Sequence, residues 1–102
     1  MQIFEDLKMG GIMLEKEFQA SRMMKILGNP TRFMVVKQLL RESLTPSQIG
    51  ERLGRKPNNI SQHLIILRNS NIVRFQTVGG NVFYRIKNKK VEDLITSAEA
   101  CV

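Results

Sequence analysis

The sequence predicts an α+β chain of element order α-α-α-α-β-β-α: a winged helix-turn-helix whose N- and C-terminal helices form a dimer interface. Three observations carry this. Residues 45–71, TPSQIGERLGRKPNNISQHLIILRNSN, read as two short helices joined by a tight turn. From Ile72 the apolar pattern changes from helical spacing to runs of β-branched and aromatic residues around a glycine pair. Positive charge concentrates on this same middle of the chain.

Ile3, Phe4 and Leu7 share one face of a short helical segment that Gly10-Gly11 cuts off. Either Met1 or Met13 can be the functional start. From Leu14 to about Leu27 the spacing of Leu14, Phe18, Met24 and Ile26-Leu27 fits a helix closed by Gly28. Its charges balance, which frees one face to bury against a second copy. Asn29-Pro30 opens the next helix as N-cap and first position. Phe33, Val36, Leu39 and Leu40 form its inward stripe and leave Arg32, Lys37 and Arg41 outward. Met9, Met13, Met23, Met24 and Met34 read as adaptable packing groups rather than as a metal or redox box.

Thr45, Pro46 and Gln48 then supply an N-cap, a first-position proline and a capping-box partner, and the helix they start ends at Gly54. In the helix that follows, Ile60, Leu64 and Leu67 fall on one side at 100° per residue, with Asn58, Gln62 and Asn69 opposite. One side is core and the other is an array of amides. Amides donate and accept together, matching adenine's major-groove edge, and a Ser hydroxyl serves either base type, so Asn58, Asn59, Ser61 and Gln62 are the candidate base readers. Polar residues also solvate any exposed helix face, and the charge map has to separate the two readings. Ile65, apolar on the outward side, either touches a thymine methyl or is a tolerated exposed residue.

Asn71 stands where a left-handed residue would end this helix. Residues 72–76 and 81–86 flank Val78-Gly79-Gly80 as a hairpin, the wing. Arg74 and Arg85 place positive charge on it, and Gly79, Gly80 and Asn81 at its tip allow backbone to approach a phosphate or a minor groove. A hairpin that merely closes the small core is the alternative. Lys89 to about Ala100 reads as a terminal helix with apolar Val91, Leu94 and Ile95 and acidic Glu92 and Asp93 near its start. An acidic helix is suited to a partner subunit rather than to DNA.

The 102 residues and 42% hydrophobic content support one small domain with a modest core. Within it, residues 1–27 are the N-terminal dimerisation segment, 30–87 the DNA-binding core and 89–100 the C-terminal dimerisation helix. Residues 31–90 carry twelve basic and two acidic side chains, whereas residues 91–102 carry three acidic and no basic ones. A basic body centred on the helix-turn-helix is the footprint of a polyanion binder. Thr45, Ser47, Arg55, Lys56, His63 and Arg68 are the candidate backbone contacts. The single cysteine, Cys101, excludes an internal disulfide and any multi-cysteine zinc site. No apolar run reaches the roughly 18 to 20 residues that cross a bilayer, and the N-terminus lacks a signal peptide's basic start and apolar core. The chain therefore reads as cytoplasmic. One His and one Cys give no nucleophile and base pairing, so an enzyme is not expected, nor is a cofactor.

Leu27-Gly28-Asn29-Pro30-Thr31-Arg32 resembles the L-G-x-P-T-R opening of the ArsR/SmtB winged-helix repressors. Ile60-Ser61-Gln62-His63-Leu64 with Leu67-Arg68 is similar to their recognition helix, and Gly79 with Val82-Phe83-Tyr84 to their wing. The resemblance spans roughly residues 14–97. It implies a homodimer joined by its first and last helices, bound to double-stranded DNA at an imperfect palindrome and released by an effector that is unknown here. Family members that sense metal place Cys-x-Cys where this chain has Thr45 and Ser47. They place carboxylate and His ligands where it has Asn88, Lys90 and Cys101, so neither set can hold zinc. Cys101 is then either a passive terminal residue or one half of an intersubunit disulfide. His63 occupies a position where the family also carries His, which makes it a packing or phosphate-contacting residue rather than a ligand. At Lys56-Pro57 the family often has a Ser or Thr cap, and that cap is lost. The competing functional readings are a winged-helix protein-interaction module and a binder of structured RNA.

Overall fold

The computed structural model describes residues 3–6 and 11–102, with side chains from residue 14 onward. Among the described residues, five helices and two antiparallel strand pairs follow one another: β1 (Ile3–Asp6), β2 (Gly11–Leu14), α1 (Glu15–Leu27), α2 (Pro30–Arg41), α3 (Pro46–Leu53), α4 (Pro57–Asn69), β3 (Val73–Val78), β4 (Asn81–Ile86) and α5 (Lys90–Ala100). From α1 onward the order is the expected one. The N-terminal segment is not: Ile3–Asp6 is a strand paired antiparallel with Gly11–Leu14, Ile3 opposite Leu14 and Asp6 opposite Gly11. Pairing of the two strands supplied backbone partners that a helix of four or five residues could not supply for itself. Leu7 and Gly10, which entered the helical expectation, lie outside the described residues.

The local signals act as their chemistry requires. Asn29 caps α2 by accepting from the Arg32 amide at 3.0 Å. Thr45 accepts from the Gln48 amide at 3.2 Å while the Gln48 side chain accepts from the Thr45 amide at 2.9 Å, closing a capping box. Gly28 follows α1 but keeps right-handed geometry, φ −73°, and its N–H donates to the Met24 carbonyl at 2.8 Å. Asn71 is the one described non-glycine residue with positive φ, 59°. Its left-handed turn releases the chain from α4 into β3.

One core joins these elements: Leu27, Val35, Val36, Leu39, Leu44, Ile49, Ile60, Leu64, Leu67, Ile72, Val73, Tyr84, Val91 and Ile95 are all buried. Val35 is as fully buried as Val36, so the buried stripe of α2 is wider than Phe33, Val36, Leu39 and Leu40, of which Phe33 and Leu40 are only partly covered. Leu44 adds a link that no periodicity reveals. It exchanges two backbone hydrogen bonds with Tyr84, at 3.1 and 2.8 Å, extending the β3-β4 hairpin by one bridge into the α2-α3 connection. The start of the helix-turn-helix and the base of the wing are thereby held in one sheet.

Candidate nucleic-acid interface

The turn between α3 and α4 is set by two glycines with different duties. Gly54 adopts left-handed geometry, φ 68°, and ends α3. Gly50 sits inside α3 because the chain passes directly over it: a Cβ there would lie 2.4 Å from the Arg55 carbonyl oxygen. The Arg55 amide returns a hydrogen bond to the Gly50 carbonyl at 2.8 Å. This close crossing fixes the angle between the two helices. Sequence reading singled out Gly54 and passed over Gly50, because a helix-interior glycine shows nothing in one sequence of what lies above it.

Helix α4 divides its sides sharply. Ile60, Leu64 and Leu67 have no exposed surface, whereas Asn58, Gln62 and Ile65 are exposed. Ser61 and Asn59 flank them and are half-buried. Asn59 Oδ1 is covered and has no hydrogen-bond partner among the described residues. Asn69, outward by helical angle, faces a groove between the end of α4, α1 and α5 instead. Lys56 stands at the N-cap without a side-chain cap bond, and Pro57 takes the first helical position. Arg55 and Lys56 are both exposed beside the start of α4, as is Ser47 near the start of α3. Thr45 is half-buried, its hydroxyl committed to the cap.

Arg32 is not the solvated outward residue that helical spacing suggests. It is half-buried, its Nε donates to the Ile26 carbonyl at 2.8 Å, and its Nη1 lies 3.5 Å from His63 Nδ1. One guanidinium thus ties the end of α1 to the flank of α4. A guanidinium has no acceptor, so this contact favours the neutral ring with Nδ1 as acceptor and the proton on Nε2. Burial, then the positive charges of Arg32 and Arg55, lower the His63 pKa below its ordinary value of 6.5.

Arg68 also turns toward protein: its guanidinium carbon is 5.3 Å from the centre of the Phe75 ring, which in turn lies 5.8 Å from the Tyr84 ring. The end of α4 and the wing are joined through this stack. In the wing, Val78 pairs with Asn81 across Gly79 and Gly80, both at positive φ, the two-residue turn that matches strand twist. Arg74 and Arg85 are direct cross-strand partners and both are exposed. Like charges placed opposite each other are unfavourable unless an anion joins them. Among the described residues no group of three or more His, Cys, Asp or Glu side chains converges as a metal site. Cys101 is exposed.

An α3-turn-α4 pair with a hydrogen-bonding outer face, backed by a core and followed by a basic hairpin, defines the winged helix-turn-helix class. Residues 29–74 match the model of the bacterial regulatory proteins of the arsR family. The chain is 34% identical over 83 residues to the uncharacterized HTH-type transcriptional regulator MJ1325 of Methanocaldococcus jannaschii, covering 80% of this chain and 93% of that protein. It is 31% identical over 74 residues to the HTH-type transcriptional regulator KmtR of Mycobacterium tuberculosis, covering 72% of this chain but only 57% of KmtR. The chain belongs to the arsR family. Its fold is shared by the homodimeric winged helix-turn-helix DNA-binding domain of Mb0332 from Mycobacterium bovis, with a TM-score of 0.76 at 22% identity over 84% of this chain and 80% of that one. No helix among the described residues is long and apolar enough to cross a membrane.

Proposed function

We propose that this chain is a dimeric, sequence-specific binder of double-stranded DNA that represses transcription and does not respond to metal. The observation that carries the reading is the two-sided α4, an uncharged hydrogen-bonding face exposed over three fully buried aliphatic residues. Asn58 and Gln62 read base edges in the major groove, with Ser61 and Asn59 on the flanks. Arg55 and Lys56 contact phosphates at the start of α4, Ser47 and Thr45 those beside α3, and His63 one along α4, whereas Arg68, a candidate by sequence, is held over the Phe75 ring instead. The wing adds Arg74 and Arg85 with the backbone of Gly79, Gly80 and Asn81.

The second subunit is suggested by what α1 leaves uncovered. Leu27 is the one buried residue of α1, Met24 is 64% exposed, and Met23, Ile26 and Leu94 line a groove of about 730 Å³ with the end of α4. A homodimer through α1 and α5 closes such a surface, and the Mb0332 domain of the same fold is homodimeric. Two-fold symmetry then calls for an imperfect palindrome with half-sites about one helical turn, or a multiple of it, apart. Thr45, Ser47, Asn88, Lys90 and Cys101 offer no set of soft donors, and the Lys90 ammonium repels a cation.

Selection from random duplex DNA followed by titration against salt tests the proposal. A recovered palindrome, and affinity falling linearly in log–log form by about 0.9 per neutralised phosphate, is the expected result. Binding without sequence preference, or release of the duplex by stoichiometric zinc or cadmium, would refute it.

A further inference from the structure

The outer row of α4 contains one residue that neither carries charge nor forms hydrogen bonds. Ile65 is 47% exposed and follows Asn58 and Gln62 at the seventh and third positions. At 3.6 residues per turn the three lie within about 60° of arc. A single exposed isoleucine is ordinary on a protein surface. What sets Ile65 apart is the row it continues and the emptiness of charge around it. The next basic residue, Arg68, is drawn away over Phe75, and Asn69 faces the groove beside α1. Between Gln62 and Asn69, this strip of the helix therefore offers branched aliphatic surface alone.

We propose that Ile65 is a specificity-determining residue that reads the C5 methyl group of a thymine. The inference rests on α4 being the major-groove helix, and it adds what the amides cannot recognise. The thymine methyl is the apolar feature a base pair presents in the major groove, whereas a cytosine there presents an N4 donor that an isoleucine leaves without a partner. Three residues of helix advance about 4.5 Å, between one and two of the 3.4 Å steps of a base stack. The thymine thus lies one or two base pairs from the base read by Gln62. Where Gln62 pairs with adenine, each half-site holds an A and a T within three neighbouring base pairs.

The test uses the duplex selected by the full wild-type chain, with each thymine of a half-site replaced in turn by deoxyuridine, which removes that methyl group alone. Wild type loses about fourfold in affinity at one position, the transfer value of one methyl group, and about fifteenfold when both half-sites are changed. Ile65→Ala loses a comparable factor on the thymine duplex and shows no further loss on the deoxyuridine duplex. Ile65→Val, which keeps most of the branched surface, falls between. The proposal is overturned if Ile65→Ala binds the thymine duplex as tightly as wild type, or stays as sensitive as wild type to the missing methyl. Failure of the groove reading itself looks different: Gln62→Ala would also leave the selected duplex bound unchanged, or wild type would select no sequence.

Discussion

Replacing Gly50 by Ala probes the crossing that aims α4. The added Cβ would lie 2.4 Å from the Arg55 carbonyl oxygen, about 1 Å inside the 3.4 Å at which ordinary contact begins. The obstacle is backbone, so no side-chain rotation relieves it. Either the α3-α4 turn lifts, breaking the 2.8 Å hydrogen bond from the Arg55 amide to the Gly50 carbonyl, or α3 shifts against a core that includes fully buried Ile49. Overpacking of this kind costs about 1 to 3 kcal/mol, and the lost turn bond about 1 kcal/mol more. Alanine's better helix propensity returns about 1 kcal/mol. The net loss of about 2 kcal/mol corresponds to a fall in Tm of about 10 °C for a domain of this size. Thermal unfolding followed by circular dichroism, at one fixed protein concentration because a dimer's Tm depends on it, measures the change. Gly54→Asn is the comparison: nothing lies within 4 Å of its Cβ, and asparagine tolerates the left-handed geometry, so it melts closer to wild type. A Gly50→Ala chain melting within about 2 °C of wild type would refute this account of the turn.

Arg55→Ala and Lys56→Ala should each weaken selected and random duplexes alike and lower the salt slope by about 0.9; a loss confined to the selected duplex would instead make them base readers. Thr45→Ala removes one half of the α3 capping box and should cost about 1 kcal/mol in urea unfolding, with Thr45→Ser recovering most of it. His63 has a lowered pKa in the folded chain, so as pH falls the unfolded chain takes the proton first. Its contribution to stability is therefore complete above pH 6.5 and shrinks as pH drops below that value toward the folded pKa. His63→Gln should lose less stability than wild type between about pH 7.5 and about pH 5.5, and an equal loss would remove His63 from the explanation. The Lys37–Glu99 ion pair at 2.7 Å joins α2 to α5 but is half-exposed, so Lys37→Ala should change stability by less than about 1 kcal/mol.

Much of this protein was legible in the residue pattern because the signals involved are local. Caps at Asn29 and Thr45, the left-handed Asn71, the glycine pair of the wing and the buried side of α4 each follow from neighbours within a few positions. The exposure of Asn58 and Gln62 was legible in the same way, since helical angle alone puts them opposite Ile60 and Leu64. Features created where separate elements or the turns between them meet were not legible, whatever their separation along the chain. Leu44 meets Tyr84, Arg32 meets Ile26 and His63, Arg68 meets Phe75, and Gly50 lies under Arg55. The first segment went astray for the same reason: Ile3 and Phe4 suit a helix by spacing, but their backbone partners come from another strand, Gly11–Leu14.

The sequence by itself determined the set of elements from α1 onward and which side of the second helix of the pair would stay exposed. Tertiary structure alone decided how that helix is aimed and which of its polar residues stay available. Periodicity sets the direction of a side chain about its own axis, whereas the crossing of Gly50 with Arg55 and the capture of Arg32 and Arg68 by other elements are set by packing between them.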